Sequence, residues 1–153
     1  MSRSRFVIAF LIVALALTLQ MRFLDPAGSS LPLSLSVILG LSLLMNMGSI
    51  ALLSLFSFFM VNWRPGITPE FLAFIMIPLV ASFLSALFPL RSALNAGVVG
   101  VIGMALWYVT ANPAGTFAAF PTVLFEAILS GFVAAFVFGF FQWVLESPRI
   151  TRL

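Results

Sequence analysis

The chain has 153 residues, of which 63% are apolar and only 7% are charged, and its net charge is +3. A soluble domain carries about 25% charged residues because its surface faces water, so the composition excludes an ordinary soluble globule and predicts a protein immersed in membrane lipid. The seven basic residues are scattered singly, which argues against a nucleic-acid partner.

Three residue types that carry much of protein chemistry are missing, because the sequence contains no Cys, His or Lys. Without them the chain has no thiolate nucleophile, no imidazole base or metal ligand, and no amine for a Schiff base. The four acidic residues are too dispersed along the chain to form a carboxylate pair. We therefore expect no catalytic residue, no metal site and no cofactor, and we expect that the protein is not an enzyme. The acids are Asp25, Glu70, Glu126 and Glu146.

The first apolar run covers residues 6–23 and follows Arg3 and Arg5. Residues 14–16 resemble a small-residue cleavage site of a signal peptide. The apolar run continues past them, however, and about 18 residues are enough to cross a bilayer. We therefore expect a retained first span, followed by a turn at 25–30.

The next apolar stretch, residues 31–61, is too long for one upright helix. At about 1.5 Å per residue it would extend for about 46 Å, against a hydrocarbon core of about 30 Å. A break near Met45–Gly48 would divide it into two short spans, 31–45 and 47–61. A single tilted helix is the alternative.

The arginine distribution favours two spans in this stretch. With one span, three arginines lie on the cytoplasmic side and four outside. With two spans, five lie inside and two outside, as the positive-inside rule prefers. We therefore predict six spans in a bacterial inner membrane, with both termini cytoplasmic. The five inside are Arg3, Arg5, Arg91, Arg149 and Arg152, and the two outside are Arg22 and Arg64.

A helix start is well marked after the loop at 62–69, where Thr68 suits an N-cap, Pro69 the first helical position and Glu70 the first turn. Residues 112–121 are predicted to be a loop before the last span.

The fold class is therefore all-α: a polytopic integral membrane protein, one domain, built as a compact bundle of about six short transmembrane helices. The predicted spans are 6–23, 31–45, 47–61, 70–88, 93–111 and 122–145.

Small residues recur every four positions in the last predicted span, at Ala127, Gly131, Ala135 and Gly139. Such a stripe lets another helix backbone approach closely. We interpret these four residues as a helix-packing site. The partner helix is either internal or supplied by another protein.

A polar row lies on the neighbouring face of the same span, at Thr122, Glu126 and Ser130. A carboxylate at membrane depth is costly and by default indicates function, so we interpret the row as a contact for a partner or a ligand. The alternative is that Glu126 is hydrated near the membrane interface or caps neighbouring helix ends.

The layout of the chain resembles that of the rod shape-determining MreD family. The features that carry the resemblance are a short first span ending near Gln20, two abutting short spans, the Pro65–Thr68 loop and three further spans, with 124–131 similar to that family's last helix. The resemblance implies a fold similar to the substrate-binding S components of energy-coupling-factor vitamin transporters. It also implies a non-catalytic subunit of the cell-elongation machinery that binds a single-span scaffold of the MreC type and helps to regulate peptidoglycan synthesis.

Two alternative functions remain open besides that one: a small-molecule-binding subunit like an S component, and an accessory subunit of a larger membrane complex. A polar vitamin needs convergent polar groups, and the predicted outer loops supply few of them, so a small-molecule ligand is not favoured. The expected partners are membrane lipid and other integral membrane proteins. The candidate outer polar residues are Asp25, Asn62, Arg64, Asn112 and Glu126.

Overall fold

The computed structural model describes residues 3–24, 32–61, 68–87 and 92–146, and these residues contain helices and no strand. The predicted all-α fold class is therefore confirmed. The helices are α1 (Arg3–Leu19), α2 (Leu33–Ser42), α3 (Met47–Val61), α4 (Pro69–Leu87), α5 (Ala93–Ala111), α6 (Pro113–Ala118) and α7 (Phe120–Glu146).

Among the described residues, four helical segments are long and apolar enough to cross a membrane: Ser4–Arg22, Pro69–Leu87, Ala93–Ala111 and Phe120–Val144. Apolar helices α2 and α3 are shorter. Membrane embedding therefore follows from helix length and composition, in agreement with the composition of the whole chain.

Most of the arginines behind the orientation prediction lie outside the described residues. The predicted turn at 25–30 and the loop at 62–67 lie outside them as well. The orientation of the bundle and the location of its termini therefore stay predictions. The arginines outside the described residues are Arg64, Arg91, Arg149 and Arg152.

The stretch 31–61 is divided into α2 and α3, so the single tilted helix is excluded. The backbone carbonyl of Met45, in the turn between them, accepts a hydrogen bond of 3.1 Å from the Ser82 hydroxyl of α4. The Asn46 side chain accepts from the Ser49 amide at 3.1 Å in the first turn of α3. Non-helical backbone is tolerated in a membrane protein where the protein itself satisfies it, and Ser82 does so here.

Helix α2 forms the centre of the bundle. It contacts α1, α3, α4, α5 and α7, and every residue from Ser34 to Ser42 is buried. Its 10 residues rise by about 15 Å, half the thickness of a hydrocarbon core. The shortest of the main helices is thus enclosed by the five longer ones.

The first helix departs from the predicted span in its last turn. Helix α1 ends at Leu19 and continues as a π-helical turn, Gln20–Leu24. The side-chain oxygen Oε1 of buried Gln20 accepts from the backbone amide and the hydroxyl of Ser34, both at 3.1 Å. This pair joins the end of α1 to the first turn of α2.

The predicted loop at 112–121 is wrong in part, because residues 113–118 form α6 and α7 already begins at Phe120 rather than at residue 122. The Asn112 side chain accepts from the Gly115 amide at 2.9 Å, and Pro113 occupies the first turn. A capping Asn followed by Pro starts a helix, which is why this part of the predicted loop is helical.

Candidate functional site

The small-residue stripe of α7 winds around the helix rather than running straight along it. A step of four residues turns a helix by about 400°, which is about 40° more than a full turn. Accordingly Ala127 and Gly131 are buried, whereas Ala135 and Gly139 are half-buried. A Cβ placed on Gly139 would meet nothing within 4 Å. The stripe therefore turns from the interior of the bundle toward its surface.

The closest approach in the stripe is between Gly131 and α5. A Cβ on Gly131 would lie 2.6 Å from Cγ2 of Val101 and 2.8 Å from the carbonyl oxygen of Gly97. A Cβ on Gly100 would lie 3.0 Å from Cα of Gly131 and 2.8 Å from Cβ of Ala134. Helices α5 and α7 consequently form the most extensive helix pair of the described bundle.

The central helix also meets α7 at a small residue. A Cβ on Gly40 of α2 would lie 2.5 Å from the backbone oxygen of Ala134. The buried Ser130 hydroxyl donates to the Gly100 carbonyl oxygen at 3.3 Å. Residues 130–134 of α7 thus pack on α2 and α5 together. Sequence reasoning did not identify the partner glycines 40, 97 and 100, although glycine within an apolar span is a signal for close packing.

The polar row of α7 winds in the same sense as the small-residue stripe. Thr122 is exposed, Glu126 is half-buried and Ser130 is buried. The Tyr108 hydroxyl of α5, which is only 9% exposed, donates a hydrogen bond to Oε2 of Glu126. The structure therefore places Glu126 and Ser130 against α5 and leaves Thr122 on the surface. The carboxylate has an internal donor that the sequence did not reveal.

Short helix α6 holds the end of α5 beside the start of α7. The Thr116 hydroxyl lies 2.9 Å from the carbonyl oxygen of Tyr108 and 2.8 Å from that of Asn112, and it donates to both. The Trp107 and Tyr108 rings meet edge to face with centroids 5.1 Å apart. These contacts fix the backbone that carries the tyrosine hydroxyl, so the position of Glu126 depends on three consecutive helices.

A groove of about 410 Å³ runs between α5 and α7 on the outside of the bundle. Half-buried Gly97 and Ala135 lie among its lining residues, and exposed Val98, Ile128 and Phe132 line it as well. Glu126 does not line it, because this residue lies on the opposite flank of α7. We call this feature the α5–α7 groove. Its lining residues are Ala93, Leu94, Gly97, Val98, Val101, Ile102, Ile128, Gly131, Phe132 and Ala135.

Comparison of the chain with protein-family models, curated proteins and solved structures finds no significant match. Among the described residues, no group of three or more Asp, Glu, His or Cys side chains is arranged to hold a metal ion.

Proposed function

We propose that this chain is a non-catalytic subunit of the bacterial inner membrane that works by helix contact, with both termini in the cytoplasm. The observation that carries the proposal is the α5–α7 groove. Small residues stand four apart on each side of it, at Ala93 and Gly97 on α5 and at Gly131 and Ala135 on α7. The occupant that this surface suits is a transmembrane helix of another protein.

The physical reason lies in how helices associate in lipid. Lipid tails are as apolar as leucine, so association depends on close van der Waals packing rather than on the removal of apolar surface from water. A groove with small residues along it lets a partner backbone come near. In this groove Gly97 and Ala135 are partly accessible from the outside, whereas Gly131 is already covered by α5.

The resemblance to the MreD family supplies the class of partner. It points to a single-span scaffold of the MreC type and to a role in cell elongation, where peptidoglycan synthesis is regulated. A single transmembrane helix is also the partner that one groove between two helices can accommodate. We therefore take the protein to be an MreD-like subunit of such a complex.

The test compares two identical substitutions on different surfaces. Ala135→Leu fills the α5–α7 groove from its lipid side, whereas Ala86→Leu adds the same volume at an exposed position of α4 that lines no part of it. Each variant is purified from native membranes, and co-purifying single-span proteins are quantified and crosslinked to position 98 in the groove. We expect Ala135→Leu to lose the partner and Ala86→Leu to retain it, with both folding normally.

Equal partner recovery for the two variants would refute the groove as the docking surface. A stoichiometric small molecule in the purified protein, with no stable protein partner, would overturn the proposal in favour of a transporter component.

A further inference from the structure

Four buried polar atoms have no hydrogen-bond partner within the described residues: the hydroxyl oxygens of Ser36, Ser54 and Ser57, and Nε1 of Trp107. A serine hydroxyl can rotate toward a carbonyl of its own helix, whereas the ring fixes the direction of the indole N–H. Buried polar groups in native proteins are almost always paired with protein or with ordered water. Trp107 therefore requires an acceptor that the described residues do not provide.

The helix directions place Ser36 at the level of Trp107. Leu39 of α2 and Ile77 of α4 both lie at Gly103 of α5. The hydrogen bond between Met45 and Ser82 lies further along α2 and α4 in the same direction, so these two helices run parallel. Helices α4 and α5 pack together across a short connection and run antiparallel, so α2 and α5 are antiparallel as well.

Counted from the Leu39–Gly103 contact, the two polar residues lie at nearly the same height. Ser36 is three residues before Leu39, a rise of about 4.5 Å, and Trp107 is four residues after Gly103, a rise of about 6 Å. Because α2 and α5 are antiparallel, both displacements point to the same end of the bundle. That end carries the Tyr108–Glu126 hydrogen bond.

The two residues also face the same junction. At about 100° per residue, Ser36 lies about 60° from Leu39 on the side of Gly40, and Trp107 lies about 40° from Gly103 on the side of Gly100. Both of these glycines pack against Ala134 of α7. Ser36 and Trp107, whose hydroxyl and indole N–H are unpaired, therefore both lie on the sides of their helices that face the space where α2, α5 and α7 meet.

We propose that a single bound water bridges Nε1 of Trp107 and Oγ of Ser36 at this α2–α5–α7 junction. The indole is a donor only, and the hydroxyl both donates and accepts. One water accepts from the indole and donates to Ser36, whose own hydrogen remains available for a further acceptor. Buried waters typically make about three hydrogen bonds to otherwise unsatisfied groups. The bridge ties the central helix to α5 and is independent of the α5–α7 groove.

Tryptophan emission tests this bridge in the full-length protein in detergent micelles. Trp63→Phe and Trp143→Phe leave Trp107 as the only indole. In this background we expect Ser36→Ala to shift the emission to the blue, because the indole loses its water partner. Ser42→Ala is the matched control: Ser42 is equally buried on the same helix, but its hydroxyl donates to the Leu39 carbonyl at 2.7 Å. We expect no shift for that variant.

A double-mutant cycle on unfolding gives a second readout. We expect Ser36→Ala and Trp107→Phe to be coupled by about twofold to tenfold in the unfolding equilibrium, as one hydrogen-bonded link would give. Ser42→Ala and Trp107→Phe should be additive. Ser36→Cys, close to serine in size and a weaker hydrogen-bond partner, replaces the alanine variant if that variant does not fold. Unchanged emission together with additive energies for Ser36 would overturn the proposal.

Discussion

At the scale of single residues, Glu126 shows how far the sequence reaches. An acidic residue within an apolar span can be recognised from sequence as a candidate functional residue, because placing a carboxylate in lipid costs free energy. Its donor, Tyr108, is 18 positions away, and in sequence it belongs to an ordinary aromatic belt at a helix end. Tyr108 and Glu126 meet only because of the register in which α5 packs against α7. That register depends on how closely the helices approach at Gly97, Gly100 and Gly131.

Substitution of Glu126 should separate hydrogen bonding from charge. We expect Glu126→Gln to keep most of the stability, because the amide oxygen still accepts from Tyr108. Glu126→Leu should lose about 0.6–1.7 kcal/mol of stability, which runs from the average to the maximum found for interhelical hydrogen bonds in a well-studied membrane protein. Unfolding in detergent micelles measures the difference, with exposed Thr122→Ala as the control. Equal losses for the glutamine and leucine variants would contradict the role of the Tyr108 hydrogen bond.

At the scale of helices, the sequence shows which residues of α7 are small, and their spacing fixes how the row winds, but neither shows where the row leaves the helix interface. The four-residue stripe of α7 is predicted as one helix-packing site. Because each step adds about 40°, the row leaves the helix interface between Gly131 and Gly139. Two glycines with the same sequence signature therefore have different surroundings.

A matched pair of alanine substitutions tests that difference. Gly131→Ala places a methyl group 2.8 Å from the Gly97 carbonyl oxygen, so α5 and α7 must separate, at a cost of about 1–3 kcal/mol typical of overpacking. Gly139→Ala meets no atom within 4 Å, and alanine is favoured over glycine in a helix by about 1 kcal/mol. Thermal unfolding should therefore rank Gly139→Ala at or above the parent protein and Gly131→Ala below it. The reverse order would show that the α5–α7 crossing is misplaced.

Burial was the property of the helices that the sequence could not provide. In a soluble protein the interior is apolar and the surface polar, so each helix has a recognisable inner face. In lipid both sides of a helix are apolar, so the apolar sequence of α2 does not distinguish it from the helices that face lipid. Its enclosure by the other helices follows from tertiary packing, which apolar periodicity does not encode here.

At the scale of the whole molecule, the orientation is open to a direct test. The arginine distribution predicts that Arg152 lies in the cytoplasm and that 112–121, which includes α6, lies on the other side. Reporter fusions at these two places should therefore give opposite signals, inside for the C-terminal one. An externally accessible Arg152 would invert the predicted topology while leaving the helix packing unchanged.

The enclosed position of α2 also constrains the order in which the protein is made. A helix of about 15 Å cannot cross the bilayer alone, and α2 leaves the ribosome long before α7, which supplies Ala134 against Gly40. During synthesis, the side of α2 that packs against α7 in the finished protein is therefore exposed until α7 has been made. Until then that side contacts lipid, the insertion machinery or α1. The bundle is complete only when α7 has packed against it, so α2 reaches its native surroundings only after α7 has been inserted.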